Sequence, residues 1–173
     1  MTIRWVQFPL HPDTPAAGLA LADLFRGRDL TGMQTQMQAR MAAAGLEYGD
    51  RTMTYNSRLA QELAKWAQTQ AGGDAIHKAL FRAYFVANRN LAQIDVLLEV
   101  AGSVGLDTVQ AGKILEQRAC RAQVDQDWQY SYATMLSIQT ALFQPVVMGS
   151  GPGTCAGDNR PRSGFTQAVM LRT

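Results

Sequence analysis

The chain has 173 residues and a net charge of +2, with 47% hydrophobic and 17% charged residues. This length is typical of one domain with a substantial core, and the composition excludes a wholly disordered chain. The small net charge and the lack of an apolar run of about 18 residues lead us to expect neither nucleic acid nor membrane as a partner. Residues 1–10 have no apolar stretch of the kind that a secretory signal needs, so we expect a cytoplasmic protein.

The first predicted element is a β-strand over residues 2–8. Its apolar set is Ile3, Trp5 and Phe8, and Pro9 and Pro12 end it. The backbone N–H and C=O groups of a lone strand need hydrogen-bond partners. Another segment of this chain, or a second chain, must supply them. A homo-oligomer formed through this strand is therefore one expectation.

The rest of the chain up to residue 143 is predicted to be helical. No proline occurs between Ala16 and Gln144, and apolar residues recur there at helical spacing. We predict helices over about 15–26, 32–44, 57–70, 75–87, 96–104, 108–115 and 123–143. The predicted N-caps are Thr14, Asn56, Asp74, Asp95 and Asp107. After residue 143 the pattern gives way to a glycine-rich, irregular tail over residues 144–173, for which disorder is the alternative.

Several apolar sets are predicted to face the core. Met33, Met37 and Met41 recur every four residues, and we favour core packing over an adaptable surface for apolar peptides. The helix that begins at residue 108 is expected to bury Val109, Ile114 and Leu115. In the helix over 123–143, the expected buried stripe comprises Val124, Trp128, Tyr132, Met135 and Leu136.

Cys120 is the first residue that could carry chemistry. It lies on a predicted helix between Arg118 and Arg121, whose guanidinium groups would favour the reactive thiolate. An ordinary free cysteine is the favoured alternative, since no second cysteine or histidine stands at a workable spacing. The other cysteine, Cys155, lies in the glycine-rich tail, and the two form no CxxC motif.

The remaining patterns indicate no cofactor and no metal. We expect His11 in a turn or at the surface, and His77 lies in the first turn of its helix without a visible second ligand. The glycines of residues 151–156 resemble a dinucleotide-binding turn, but a helix breaker follows where that turn needs a helix. From the residues alone, the sequence contains no convincing active site.

Five segments in order nevertheless resemble one family, the DsbA-like thiol-disulfide oxidoreductases of the FrnE type. WVQFPLHPDTP at residues 5–15 resembles the strand and exit loop of that family. MTYNSRLA at residues 53–60, with AKWA after it, resembles its helical insertion. So do ALFRAYF at 79–85, DVLL at 95–98 and GLD at 105–107. The resemblance covers about residues 3–133.

The resemblance implies a mainly-α fold: the helical insertion domain of a DsbA-like thioredoxin fold, with one N-terminal strand and an incomplete thioredoxin half. The DsbA-like domain would cover residues 1–143, with the insertion over 14–143. The family exchanges thiols through a CxxC motif after its first strand. We expect that strand and motif to be missing here, because the sequence starts at what resembles the second strand. Cys120 matches no catalytic position, and Pro145 is the nearest candidate for the family's cis-proline.

Three functions follow as hypotheses. The first is a fragment of a thiol-disulfide oxidoreductase without its CxxC motif, acting on protein or peptide thiols. The second, from another class, is a non-catalytic helical module that binds a partner. The third is the related branch of glutathione-dependent 2-hydroxychromene-2-carboxylate isomerases, which share the scaffold.

Overall fold

The computed structural model of the chain describes residues 5–142. Most of this part is helical: α1 (Leu21–Leu24), α2 (Leu30–Ala43), α3 (Arg58–Ala67), α4 (Ala75–Phe81), α5 (Ile94–Ser103), α6 (Thr108–Glu116) and α7 (Arg121–Leu142). A π-helical turn, Arg82–Val86, continues α4. The predicted mainly-α fold is confirmed. Within the described residues, no helix is long and apolar enough to cross a membrane.

Helix α3 lies at the centre of the helical body and packs against α4, α5, α6 and α7. The fully buried apolar side chains come from all five helices: Leu63, Ile76, Leu97, Leu115 and Val124. Burying each such side chain contributes about 1.5–3 kcal/mol. The prediction for Val109 is wrong, because its side chain is 68% exposed. The prediction for Leu115 is confirmed, since its side chain is fully buried, and Ile114 is partly buried against the core. Helix α6 turns Ala111 and Leu115 towards the core and leaves Val109 on the opposite face.

Of the five predicted N-caps, Asp107 forms as predicted, since its side chain accepts from two N–H groups of α6. Asn56 lies one residue before the N-cap of α3, Ser57, and its side chain accepts from the backbone N–H of Arg58 at 2.9 Å. Asp74 has a helical backbone and makes no capping bond. Asp95 lies inside the first turn of α5, because Ile94 is already helical. Thr14 caps no helix, since the next helix begins only at Leu21.

A two-stranded antiparallel sheet replaces the first half of the predicted helix over 15–26. Its strands are β1 (Leu19–Ala20) and β2 (Met53–Thr54). The helix fails to form there because Gly18 has a φ of +90° and its N–H bonds to the carbonyl of Pro15 in a tight turn. Such a φ favours glycine and ends a right-handed helix. Only the short α1 follows.

Helix α2 packs only loosely on the rest of the fold, and none of its residues is buried. The helix begins two residues before its predicted start, at an N-cap outside the predicted set: Asp29 accepts from the N–H of Gly32. Its end agrees with the prediction, because the chain leaves through Gly45 at a φ of +68°. The predicted core role of the methionine stripe is wrong for Met33, which is 39% exposed. Polar side chains tether the helix instead, among them Gln38, whose amide donates to the Asp50 carboxylate at 2.6 Å.

The N-terminal segment, residues 5–8, does not form the predicted β-strand; residues 2–4 lie outside the described part. Side chains of helices satisfy its backbone instead. Gln7 donates its N–H to the carboxylate of Asp127 and accepts from the hydroxyl of Ser131, both at 3.0 Å. The side chain of Gln61 donates to the carbonyl of Phe8. The backbone groups of residues 5–8 thus pair with side chains of α3 and α7 rather than with a strand. The formation of an oligomer through this segment stays a prediction.

The described hydrogen bonds of α7 with α3 lie near its start, at Arg121, Asp125 and Trp128. The side chain of Leu136, the last member of the predicted buried stripe, lies outside the described ones. Val124 is fully buried, whereas Tyr132 and Met135 are 48% and 42% exposed, so the predicted buried stripe is wrong at these two residues. The physical reason is length. A helix of 22 residues spans about 33 Å, roughly twice the span of the ten-residue α3 against which it packs.

Candidate functional site

An apolar groove with a volume of about 250 Å³ opens between the N-terminal segment, α3 and the run from α4 into the π-helical turn. Four aromatic rings line it, from Tyr55, Phe81, Tyr84 and Phe85. Leu10 forms part of its rim and is 68% exposed. The groove combines exposed apolar surface with concave shape, as polypeptide-binding sites commonly do.

The π-helical turn sets the aromatic wall of the groove. Its wider turn is closed by the N–H of Ala87, which donates to the carbonyl of Arg82 at 3.0 Å. The Phe85 ring stacks on Phe81 at a centroid distance of 5.6 Å and meets Tyr84 edge to face at 4.9 Å. Both arrangements are favourable for aromatic pairs, so the rings hold one another in place. π-Helical turns within helices occur often at functional sites.

Most polar groups of the groove are already hydrogen-bonded within the protein. The hydroxyls of Tyr84 and Thr54 lie 2.8 Å apart. The Gln61 side chain is engaged at both ends, since its oxygen accepts from the Trp128 indole at 2.7 Å and its nitrogen donates to the Phe8 carbonyl. These bonds connect the N-terminal segment, α3 and α7, so the groove is held from three directions.

His77 carries a buried polar atom that has no such bond within the described residues. Its ring lines the groove and stacks on the Trp5 indole at a centroid distance of 4.1 Å. Its Nε2 is buried and has no hydrogen-bond partner among the residues that the structure describes. Burial lowers the pKa of His77 below its ordinary value of 6.5; the charge of Asp74 opposes this effect and that of Lys65 adds to it. The imidazole is therefore neutral at pH 7. His11, by contrast, lies exposed at the edge of the groove, as predicted.

A buried cluster of charges lies on the other side of α3. The Glu62 side chain has no exposed surface, and its carboxylate accepts from the guanidinium groups of Arg58 and Arg118 at 2.7–2.9 Å. Arg58 also pairs with Asp125 at 2.7 Å. Burial alone would raise the pKa of Glu62, but the bonds and charges of Arg118 and Arg58 outweigh it and hold the pKa below 4.5. This cluster ties α3 to α7 and to the turn before it.

A second ion pair extends this arrangement to the N-terminal segment. Lys65 lies 2.7 Å from the carboxylate of Asp127, which also accepts the N–H of Gln7. Sequence reasoning missed both groups of charges. Arg58 and Glu62 stand four residues apart, which was a visible signal. Asp125 and Asp127 are more than 60 residues away, and nothing local marks them as partners.

Cys120 lies in this charged region and is not an activated thiol. It precedes α7 in a turn, rather than lying on a helix as predicted, and only 7% of its surface is exposed. Burial raises the pKa of its thiol, the charge of Glu62 raises it further, and Lys65 opposes them. The guanidinium of Arg118, expected to favour the thiolate, is bonded to Glu62 instead. The described geometry is that of a buried, protonated cysteine.

We expect Cys120 to react with iodoacetamide at neutral pH about tenfold more slowly in the folded protein than in the denatured chain. Site-resolved mass spectrometry distinguishes it from Cys155. The raised pKa also means that Cys120 contributes its full stabilisation below the ordinary pKa of 9.0 and loses it as the pH rises through the folded value. Wild type should therefore lose stability relative to Cys120→Ala above pH 9.0. Equal alkylation rates in the folded and denatured states would contradict this account.

The other predicted site residues are placed as follows. Pro145 and Cys155 lie outside the described residues, so their roles stay predictions. Within residues 5–142, no group of three or more His, Cys, Asp or Glu side chains is positioned to share a metal ion. The structure thus brings His77 and His11 to one groove and places Cys120 apart from it.

The model of the family described as DSBA-like thioredoxin domain matches residues 1–136. This span includes the groove, the buried charge cluster and Cys120. No curated protein matches the chain.

Proposed function

Because the chain belongs to the DSBA-like thioredoxin domain family, whose members are thiol-disulfide oxidoreductase-like, we propose that it acts in thiol–disulfide exchange on polypeptide chains. Its described helices bind the polypeptide, Cys120 does not supply the attacking thiol, and the attacking thiolate comes from Cys155, the other cysteine of the sequence, or from a separate protein or peptide thiol. The observation that carries this proposal is the apolar groove beside the π-helical turn, whose wall of stacked rings suits an extended, unfolded chain.

The chemistry of exchange supports assigning Cys120 a structural role. A thiolate attacks one sulfur of a disulfide, a mixed disulfide forms, and the second sulfur leaves as a thiolate. This step needs an accessible thiol with a low enough pKa, whereas Cys120 is buried and its pKa is raised. A free, buried cysteine also agrees with a reducing compartment, and we propose the cytoplasm.

The second candidate function is a helical binding module without catalysis. The burial and raised pKa of Cys120 favour this candidate too, because binding through the groove needs no reactive thiol. The two functions differ only in turnover, so they can be separated by one pair of measurements.

Binding and turnover are measured on the full chain with insulin. We expect the reduced, alkylated B chain to bind, and Phe81→Ser to weaken this binding about fivefold, since Phe81 is 57% exposed at the groove. Val109→Ser is the matched control, because Val109 is 68% exposed on α6, outside the groove, and should change nothing.

Insulin reduction then decides between the candidates. Turnover that survives Cys120→Ser supports the exchange function as proposed, and no turnover in wild type together with intact binding supports the module. Turnover that disappears in Cys120→Ser would make Cys120 the nucleophile after all. Absence of any binding by wild type would refute both candidates.

A further inference from the structure

We propose that the groove is a specificity subsite for a single tyrosine side chain of the bound polypeptide, and that His77 Nε2 forms the hydrogen bond with the tyrosine hydroxyl. This inference rests on the proposed polypeptide binding and adds to it which side chain the groove selects. Three properties of the groove carry it: the lack of charged residues in its lining, its size and aromatic walls, and a buried nitrogen, His77 Nε2, without a hydrogen-bond partner in the described part of the chain.

The lining of the groove excludes charged side chains. No Asp, Glu, Lys or Arg is among the residues that line it in the described part of the chain. A carboxylate or an ammonium group entering the groove would lose its hydration without gaining an opposite charge, which is costly. The charged groups nearest to His77, Asp74 and Lys65, influence its imidazole but do not line the groove.

The size and walls of the groove favour one aromatic ring. Its volume of about 250 Å³ is below the range of about 300–1,000 Å³ of sites for drug-sized ligands, and it suits one large side chain. The rings of Tyr84 and Phe85 line the groove edge to face at 4.9 Å, and the Arg51 guanidinium lies over them at 4.3 and 5.0 Å from their centroids, which holds this wall in place. Aromatic pairs gain energy in stacked and edge-to-face geometries beyond the apolar surface that they bury.

The hydrogen-bonding groups of the groove then select among aromatic side chains. The Tyr84 hydroxyl and the two ends of Gln61 are engaged inside the protein, which leaves His77 Nε2 as the buried atom without a described partner. A neutral imidazole nitrogen is either a donor or an acceptor, depending on the tautomer. A tyrosine hydroxyl can act as both, so it fits either tautomer. Phenylalanine would leave Nε2 unpaired, and the indole of tryptophan can only donate.

Trp5 stacks on the face of the imidazole and leaves the in-plane direction of Nε2 for a hydrogen bond. Its indole is 39% exposed. Trp5 belongs to a segment without regular secondary structure, so its ring can adjust to a bound side chain without breaking a helix or a strand.

The test uses the full chain and fluorescein-labelled short peptides of one serine- and alanine-rich sequence, with tyrosine, phenylalanine, lysine or glutamate at the centre. Fluorescence anisotropy at neutral pH gives each Kd. We expect the tyrosine peptide to bind about fivefold more tightly than the phenylalanine peptide, and the two charged peptides to bind more weakly than both. In His77→Phe, the ratio of the Kd values of the phenylalanine and tyrosine peptides should fall to about one, because only the binding of the tyrosine peptide is weakened.

Two controls keep the result interpretable. His77→Leu is a second variant in case His77→Phe does not fold, as judged by circular dichroism, and Val109→Ser should leave all four Kd values unchanged. Equal binding of the tyrosine and phenylalanine peptides to wild type, or a ratio that persists in both His77 variants, would overturn this inference while leaving the proposed function intact. Failure of every peptide to bind, together with failure of the insulin chain, would overturn the proposed function itself.

Discussion

Replacing Glu62 with glutamine is expected to lower the free energy of unfolding by about 3 kcal/mol. The carboxylate is fully buried and accepts hydrogen bonds from Arg58 on one side and Arg118 on the other. An amide of the same shape has one oxygen and one NH2 group, so the NH2 group would face a guanidinium that also only donates. Urea denaturation followed by circular dichroism measures the change.

The matched control is Glu116→Gln on α6. Glu116 is exposed, so the same substitution there should change stability by less than about 0.5 kcal/mol. The pH dependence gives an independent check. Because the folded pKa of Glu62 lies below its ordinary value of 4.5, its contribution is complete above pH 4.5 and is lost as the pH falls through the folded value. Wild type and Glu62→Gln should therefore converge in stability in acid, and a constant difference would contradict the assigned role.

Truncating Leu97 to alanine should destabilise the protein by about 3 kcal/mol. The Leu97 side chain is fully buried in the core on α5. Removing most of it takes away apolar contacts and leaves a cavity that the surrounding helices can fill only in part. Thermal and urea unfolding both report the change.

Leu46→Ala is the control for this truncation, because Leu46 is 58% exposed in the loop after α2. The same chemical change there should cost less than about 0.5 kcal/mol. A similar loss in both variants would mean that the core is not packed around α5 as described. A small loss in Leu97→Ala alone would mean that the site collapses to fill the cavity.

The helices could be predicted well because their signals are local. Leu63 and Trp66 on α3, or Val96 and Val100 on α5, repeat at the helical period and are buried. Gly105 ends α5 at a φ of +78°, and its position directly after the predicted helix over 96–104 already indicates this end. Predictions failed where the outcome depends on a neighbour in space: α2 repeats its methionines at the same period, yet nothing packs tightly enough on it to bury them.

The candidate site could be predicted only in part. His77 was recognised as lying in a first helical turn, but its stacking on Trp5, 72 positions earlier, has no sequence signal. Cys120 shows the opposite error. Two flanking arginines suggested an activated thiol, whereas Arg118 is bonded to Glu62 and the thiol is buried. A charge next to a residue in sequence acts on it only if the fold leaves that charge free.

The amino-acid sequence by itself determined the mainly-α character, most helix ends and, through five ordered segments, the resemblance to DsbA-like proteins. The match over residues 1–136 bears out the DsbA-like part of this resemblance, and the FrnE type stays a prediction. These properties depend on backbone preferences and on spacing along the chain. Only the tertiary structure decided that residues 5–8 bond to helices instead of forming a strand, that Cys120 is protonated, and that His77 Nε2 is left unpaired in a groove. Each of these three outcomes depends on contacts between groups that are distant in sequence. Packing of the helices brings those groups together and excludes water from between them.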